Sequence, residues 1–535
     1  LHSNRSEGCT SLAIDAAAKG GHLDVVEWLH SNRSEGCTSL AIDAAAKGGH
    51  LDVVEWLHSN RSEGCTSAAM DGAALGGHLD VVEWLHSNRS EGCTTVAMDG
   101  AALSGHLAVV EWLHSNRSEG CTWEALDDAA WFGHLDVVEW LHSNRSEGCT
   151  SAAMDGAALS GHLTVVEWLH SNRSEGCTWE ALDDAAWFGH LDVVEWLHSN
   201  RSEGCTSAAM DGAALSGHLT VVEWLHSNRS EGCTREALDG AAESGHLAIM
   251  RWLHANRSLE CTPRAMEHAA RLGHLSMVEW LYANFPVAIS HKALSAAAES
   301  GQLGVLEWLY CNNHGSNGAP HPDDIEVAET QSMEAMVLAA GNGHLATLEW
   351  LHHNNSEGGN MDERAMDLAV MGGHLPVVEW LHANRQEGCS KLAMEFAIMR
   401  GHSRIVKWLH RNKSNNINNG LSRTQKKLEY SSRALSVAAR LGHLSILEWL
   451  AANDCEEFKA TLENMYTRDE FHSGLGNIYR GVNRLLAKSC RSLAVVKWFF
   501  ENTLSSGGTF SRFSSRSCSL CSSSSEDFPP TWYPS

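Results

Sequence analysis

Residues 21–38 read GHLDVVEWLHSNRSEGCT, and nearly the same string returns every 28 residues. The pattern opens at Leu1, continues to about His410 and returns once more at 431–450. A unit this short cannot bury its own apolar face, so its copies must stack side by side and share a continuous core. The period therefore predicts a solenoid of about 15 to 16 repeats.

Each unit has the pattern of two helices joined by a tight turn and followed by a polar loop. Thr10 stands at an N-cap position, and the apolar side chains of 13–18 fall on one helical face. Gly21 marks the end of this first helix, because glycine adopts the left-handed conformation at no steric cost. Residues 23–29 form a second apolar stripe, and residues 30–37 are polar and contain a glycine. We expect an all-α fold built from helical hairpins with short loops.

The chain divides into four segments by composition. They are regular 28-residue repeats (1–311), diverged repeats with two loop insertions (312–452), a non-repeat segment with a degenerate terminal cap (453–503), and a disordered serine-rich tail (504–535). The insertions fall at about 312–332 and 412–430. Because the chain begins inside a repeat, we expect it to be a fragment of a longer protein.

The net charge of −27 comes largely from the repeats. Residues 123–150 carry one arginine against six carboxylates. Such a surface repels phosphate backbones, so we expect no nucleic-acid partner. One stretch, 400–429, is basic; it is either a solvated face and loop or a functional patch. No apolar run reaches the length of a transmembrane helix, and we expect an intracellular, cytoplasmic monomer with no membrane contact.

Residues 17–29, AAKGGHLDVVEWL, resemble the core of the ankyrin repeat, in which an alanine pair, Gly-His-Leu and Val-Val precede a leucine run. The resemblance covers about four-fifths of the chain and implies a non-catalytic protein that binds other proteins. This chain is a short, tryptophan-containing variant, because the ankyrin period is typically about 33 residues. The missing residues belong to the connection that carries the family's β-hairpin finger, so we expect blunt loops. Asp15 stands where the family places a histidine.

Histidine and cysteine recur once per repeat, at His22 and Cys9 and their equivalents. Equivalent side chains in stacked helices lie about 10 Å apart, whereas zinc needs four ligands within about 2.3 Å. We therefore expect structural histidines, free thiols, and no metal or cofactor. Gln302 replaces the histidine in one unit. The pair Cys518 and Cys521 is a weak zinc or redox signal on its own.

The recurring Asn-Arg-Ser, first at Asn4, is either a polar turn or, in a secreted chain, a glycosylation sequon. The turn is the simpler reading, because the tripeptide recurs with the whole repeat. A mass increase lost on deglycosylation would identify a secreted repeat glycoprotein.

The variable positions of the first helix offer the best candidate site. Positions that hold Lys19-Gly20 or Leu75-Gly76 elsewhere become aromatic in two repeats. A position that accepts lysine in one unit and tryptophan in another is not deep core, and exposed tryptophan among carboxylates is typical of a binding hot spot. The candidate partner-binding residues are Trp123, Trp131, Phe132, Trp179, Trp187 and Phe188. The alternative is local packing of the aromatic rings against the preceding loop.

No nucleophile–base pair, phosphate-binding loop or carboxylate dyad stands out from the repeats, so we expect no enzyme activity. The interpretation we favour is a scaffold or adaptor that binds other proteins through the variable first-helix positions. We expect the partner proteins to present an apolar and basic surface. The alternative is the recognition arm of a larger protein whose effector or enzymatic domain lies upstream of Leu1.

Overall fold

The computed structural model describes residues 10–257, 259–285, 291–314, 322–354, 363–385, 388–390, 392–418 and 432–453. These residues form thirty helices and no strand, which confirms the all-α helical-hairpin prediction. The two predicted C-terminal segments, 453–503 and 504–535, lie outside the described residues apart from Asn453. None of the described helices combines the length and the apolar character needed to cross a bilayer.

The chain divides into two compact units, 1–293 and 294–535, and the described residues of each form helix pairs. The helices of the first unit are α1 (Leu12–Lys19), α2 (Leu23–Asn32), α3 (Leu40–Lys47), α4 (Leu51–Asn60), α5 (Ser67–Leu75), α6 (Leu79–Asn88), α7 (Thr95–Leu103), α8 (Leu107–Asn116), α9 (Glu124–Trp131), α10 (Leu135–Asn144), α11 (Ala152–Leu159), α12 (Leu163–Asn172), α13 (Glu180–Trp187), α14 (Leu191–Asn200), α15 (Ser207–Ser216), α16 (Leu219–Asn228), α17 (Arg235–Glu243), α18 (Leu247–Asn256), α19 (Pro263–Leu272) and α20 (Leu275–Asn284).

Helix α21 (His291–Glu299) spans the division between the units. The remaining helices are α22 (Leu303–His314), α23 (Pro322–Gly341), α24 (Leu345–Asn354), α25 (Arg364–Gly372), α26 (Leu375–Asn384), α27 (Ala393–Arg400), α28 (Ser403–Asn418), α29 (Ser432–Leu441) and α30 (Leu444–Asn453).

Parts of both predicted loop insertions are helical. Helix α23 begins at Pro322, where proline and the following aspartates suit a first helical turn. Helix α28 continues to Asn418, whereas most other second helices end at the asparagine equivalent to Asn412. The rest of both insertions lies outside the described residues.

In the core of each unit, alanine-rich first helices pack against valine and leucine side chains of the second helices. In one repeat Ala45, Ala46, Val53, Val54 and Leu57 are completely buried. Because alanine has little bulk, neighbouring first helices pack closely along the row, whereas neighbouring second helices touch more sparsely. Burying one such valine or leucine contributes about 1.5–3 kcal/mol.

An aspartate in each first helix from α1 to α17 links one repeat to the next. Asp43 accepts the backbone N–H of Thr66 at 2.8 Å and the Thr66 hydroxyl at 2.8 Å. The Thr66 hydroxyl oxygen in turn accepts the backbone N–H of Ala68 at 3.2 Å and so caps the next first helix. The same bond to the threonine backbone recurs from Asp15–Thr38 to Asp239–Thr262. This is the role of the aspartate that replaces the family's histidine.

Holding these carboxylates in the stack has an electrostatic cost. Burial raises the pKa of five of these carboxylates, although the hydrogen bonds from the threonine lower it. The five are Asp99, Asp127, Asp155, Asp183 and Asp211. A raised pKa means that desolvation outweighs the hydrogen bonds. The link therefore adds stability chiefly because it satisfies two donors that would otherwise lack partners.

Histidine follows each tight turn and packs onto the turn of the preceding repeat. The His50 ring lies against Gly21, where a Cβ would come within 2.6 Å of the ring and φ is +70°. In the diverged repeats the His274 Nε2 lies 3.1 Å from the Glu243 carbonyl oxygen. The predicted structural role across adjacent turns is confirmed. Burial, followed by the neighbouring imidazoles, lowers the pKa of His106, His162 and His218.

A second set of contacts joins the ends of the second helices. The His30 ring meets the Trp56 ring edge-on with centroids 5.2 Å apart, and its Nδ1 lies 3.3 Å from Arg61 Nη1. Arg61 also pairs with Glu63. Trp56 is half-buried, so its aromatic ring closes the outer layer while one edge meets solvent. The tryptophans of the second helices are therefore engaged in packing contacts.

We predict that Asp127→Ala destabilises the chain by about 1–2 kcal/mol, because the Thr150 N–H and hydroxyl lose their acceptor. The midpoint of urea unfolding measures the loss. Glu139→Ala, an exposed change on the second helix of the same repeat, serves as the control and shifts stability by less than about 0.5 kcal/mol. Equal effects of the two changes would contradict the role of the aspartate.

Candidate functional site

The predicted aromatic residues lie on the exposed side of helices α9 and α13. The exposed fraction is 49% for Trp123, 41% for Trp131 and 53% for Phe132. The corresponding values are 49%, 40% and 52% for Trp179, Trp187 and Phe188. The second-helix tryptophans of the interior repeats, such as Trp140, are half-buried, so the first-helix rings are the more exposed set. Their part in binding stays a prediction.

The apolar positions of helix α9 face the neighbouring first helices. Its aromatic residues therefore lie on the exposed side of the helix. Ala125, Leu126, Ala129 and Ala130 are buried. Glu124, Asp128 and Trp131 follow one another at spacings of four and three residues, which places them in one stripe on the opposite side. Trp123 precedes this stripe and Phe132 follows it.

We call this group the first aromatic site: Trp123, Glu124, Asp128, Trp131 and Phe132. The second aromatic site is its equivalent on α13: Trp179, Glu180, Asp184, Trp187 and Phe188. None of the six aromatic rings contacts another ring within the described part of the chain. Each aromatic site is therefore an open surface of separate rings and not an aromatic cage.

Each central tryptophan rests on a glycine of the next first helix. A Cβ at Gly156 would approach Trp131 Cε3 to 2.7 Å, and a Cβ at Gly212 would approach Trp187 Cε3 to 2.5 Å. The aromatic ring thus lies directly on the helix backbone, which only glycine permits. This contact differs from the alternative of local packing, which placed Trp131 and Phe132 against the preceding loop, because it is made with the following first helix. Contact with the next helix orients the tryptophan and leaves its other side accessible.

The carboxylates around the rings are not neutralised by neighbouring bases. Burial raises the pKa of Asp128, and the charges of Glu124 and Asp127 raise it further. The Asp184 carboxyl has a raised pKa for the same reasons, burial first and then Glu180 and Asp183. Helices α9, α11 and α13 contain no lysine or arginine. A cation placed here would relieve this repulsion and could lie against an indole ring.

The sequence placed the tryptophans among carboxylates, but it did not single out Asp128, Asp184 or the supporting glycines. A signal was present in the sequence. The position of Asp128 is glycine in the intervening repeats, as at Gly100 and Gly156, and aspartate appears there only in the repeats that also carry Trp131 and Trp187. Aspartate and tryptophan therefore occur together within a repeat, and glycine occurs in the repeat that follows.

The cysteines and asparagines of the repeat have packing roles. The described cysteines are free thiols, as expected, and burial raises the pKa to about 11 at Cys121, Cys149, Cys177 and Cys205. A raised pKa keeps the thiol protonated and unreactive at neutral pH. The Asn60 side-chain amide donates to the Trp56 carbonyl oxygen at 2.8 Å, which favours the polar-turn interpretation of Asn-Arg-Ser.

Histidine, cysteine, aspartate and glutamate side chains occur throughout the described residues. No group of three or more histidine, cysteine, aspartate or glutamate side chains there could hold a metal ion. The predicted pair Cys518 and Cys521 lies outside the described residues.

We predict that the effect of Gly156→Ala on stability changes sign with the residue at position 131. Alanine is about 1 kcal/mol better than glycine inside a helix, but its Cβ would collide with Trp131. In the natural background the change destabilises by up to about 2 kcal/mol, and in a Trp131→Ala background it stabilises by up to about 1 kcal/mol. Urea unfolding of the four proteins measures this coupling. The same sign in both backgrounds would show that the indole does not rest on Gly156.

Comparison with known proteins identifies the repeats. A family model described as ankyrin repeats in many copies matches residues 14–58, 42–86, 97–142, 149–198 and 366–410. No curated protein shows significant sequence similarity to the chain.

Solved structures of helical-repeat proteins also align. The crystal structure of the pentatricopeptide repeat protein PPR10 from maize shares 9% identity over 92% of this chain and 88% of that chain, with a TM-score of 0.28. PPR10 in complex with an 18-nt psaJ RNA element shares 9% identity over 90% and 81%, with a TM-score of 0.24. TM-scores this low do not show a shared fold. The ankyrin matches recur in five places along the helix pairs, which supports an ankyrin-repeat protein.

Proposed function

We propose that this chain is a non-catalytic scaffold or adaptor that binds other proteins through the exposed surface of its first helices. The observation that carries the proposal is the exposure of large aromatic rings beside unpaired acidic charge in the two aromatic sites. Buried at an interface, tryptophan is among the residues that contribute most to protein–protein affinity. Ankyrin repeats present such a surface without needing a pocket.

The charge of the surface indicates the chemistry of the partner. Each aromatic site places two carboxylates next to its rings, and the chain carries a net charge of −27. A basic and apolar protein segment would satisfy both the rings and the carboxylates. A nucleic-acid backbone would meet repulsion here, which favours a protein partner over RNA or DNA.

A variant built from the chain's own sequence tests the proposal. The dipeptide at 131–132 is Leu159-Ser160 in the next repeat, which folds into the same helix pair. The variant Trp131→Leu, Phe132→Ser, Trp187→Leu, Phe188→Ser thus removes four of the six rings and keeps the repeat. We predict that proteins captured by the natural chain are lost by this variant, with helical content and urea midpoint retained.

The control is Glu139→Ala with Glu195→Ala, two exposed changes on second helices of the same repeats. This protein retains the captured partners if recognition uses the first-helix surface. Unchanged capture by the four-residue variant, or loss of the partners by the control alone, would contradict the proposed binding surface.

A further inference from the structure

The two aromatic sites are copies of each other. Residues 123–178 and 179–234 have the same sequence, so the sites lie two repeats apart. Equivalent aromatic side chains differ by at most one percentage point in exposed fraction. Both central rings rest on a glycine of the following first helix. Whatever chemistry one site recognises, the other recognises too.

A different surface separates the sites. The repeat between them presents Ser151, Ala152, Leu159 and Ser160 at the positions that hold aromatic residues and glutamate in its neighbours. Packed helices lie about 8–10 Å apart, so the two sites are separated by roughly 16–20 Å along the row. The aromatic surface is therefore two separate patches at a set distance.

We propose that the two aromatic sites bind one partner that carries two basic and apolar segments in tandem, one segment per site. This inference rests on the proposed function and specifies the partner further. In each segment a lysine or arginine lies between the indole ring and the two carboxylates of the site, and an apolar side chain packs against the phenylalanine. Charge complementarity selects this occupant, because first helices α9, α11 and α13 supply no base of their own.

The distance between the sites suits a short polypeptide connection. An extended chain spans about 3.3–3.6 Å per residue, so about five or six residues bridge roughly 16–20 Å. Once one segment is bound, a linker of this length holds the second segment near its site at a millimolar effective concentration. Tandem binding can then be about 100-fold or more tighter than single binding, without any new contact.

Two synthetic peptides test the inference on the full chain. One contains the motif Arg-Leu-Arg-Phe once, and the other contains it twice with four Gly/Ser residues between the copies. Isothermal titration should give two single-motif peptides per chain but one tandem peptide per chain, bound at least 10-fold more tightly. Peptides with glutamate in place of arginine are the matched control and should not bind.

Variants that change one aromatic site test whether tandem binding needs both sites. Trp131→Leu with Phe132→Ser, or Trp187→Leu with Phe188→Ser, should reduce tandem affinity to the single-motif value. The four-residue variant should lose binding of both peptides.

Two tandem peptides per chain, each bound no more tightly than the single motif, would overturn the tandem inference and leave the proposed function intact. Absence of binding by either peptide, or equal binding by the four-residue variant, would overturn both. Self-association of the free chain that disappears in the four-residue variant would identify a second copy as the occupant and also overturn the inference.

Discussion

The structure depends on the close approach of successive first helices. Alanine pairs such as Ala45-Ala46 leave so little side-chain volume that one helix packs directly on the next, and the buried aspartate then reaches the threonine cap of its neighbour. Larger residues at these positions would separate the helices and break that hydrogen bond. Every repeat thus obtains both its buried area and its helix cap from an adjacent repeat, as expected for a one-dimensional array.

This arrangement leaves the outer positions of each first helix free to vary. The alanines, the aspartate and the Gly-His turn hold the stack together, so the first and last exposed residues of the helix can change without disturbing it. Lysine, leucine and tryptophan all occur at the last position in different repeats. Where tryptophan occurs, glycine in the next repeat accommodates the ring. Packing and the proposed recognition therefore use different residues of one short helix.

Much of the fold could be predicted from the period and the residue types. The helix pairs, the left-handed Gly21 and the structural histidines follow from local rules and are confirmed. Thr66 caps helix α5 as a threonine should, but the predicted cap at Thr10 is wrong, because α1 has no side-chain cap at its N-terminus. The role of Asp15 could not be predicted in the same way, because its partner Thr38 belongs to the next repeat and their contact exists only in the stack. The helical parts of the two insertions were also missed, because asparagine- and serine-rich composition suggests a loop even where a preceding helix continues.

The exposure of the aromatic residues could be predicted from their variability between repeats, but their support could not. The contact of Trp131 with Gly156 joins residues in different repeats and depends on the spacing of packed helices. Glycine also occupies this position at Gly72 and Gly100, which follow repeats without a first-helix tryptophan, so the glycine alone does not reveal the contact. Sequence reasoning thus identified the residues of the site without the geometry that orients them.

The central claim is that each repeat is stabilised by its immediate neighbours. Because residues 123–178 and 179–234 are identical, deleting 179–234 removes two repeats and leaves every junction with its natural sequence. Circular dichroism during urea unfolding tests the claim most directly. The account predicts unchanged helical signal per residue and a midpoint close to that of the full chain. A shortened chain that loses helical signal per residue, or unfolds without a cooperative transition, would contradict it.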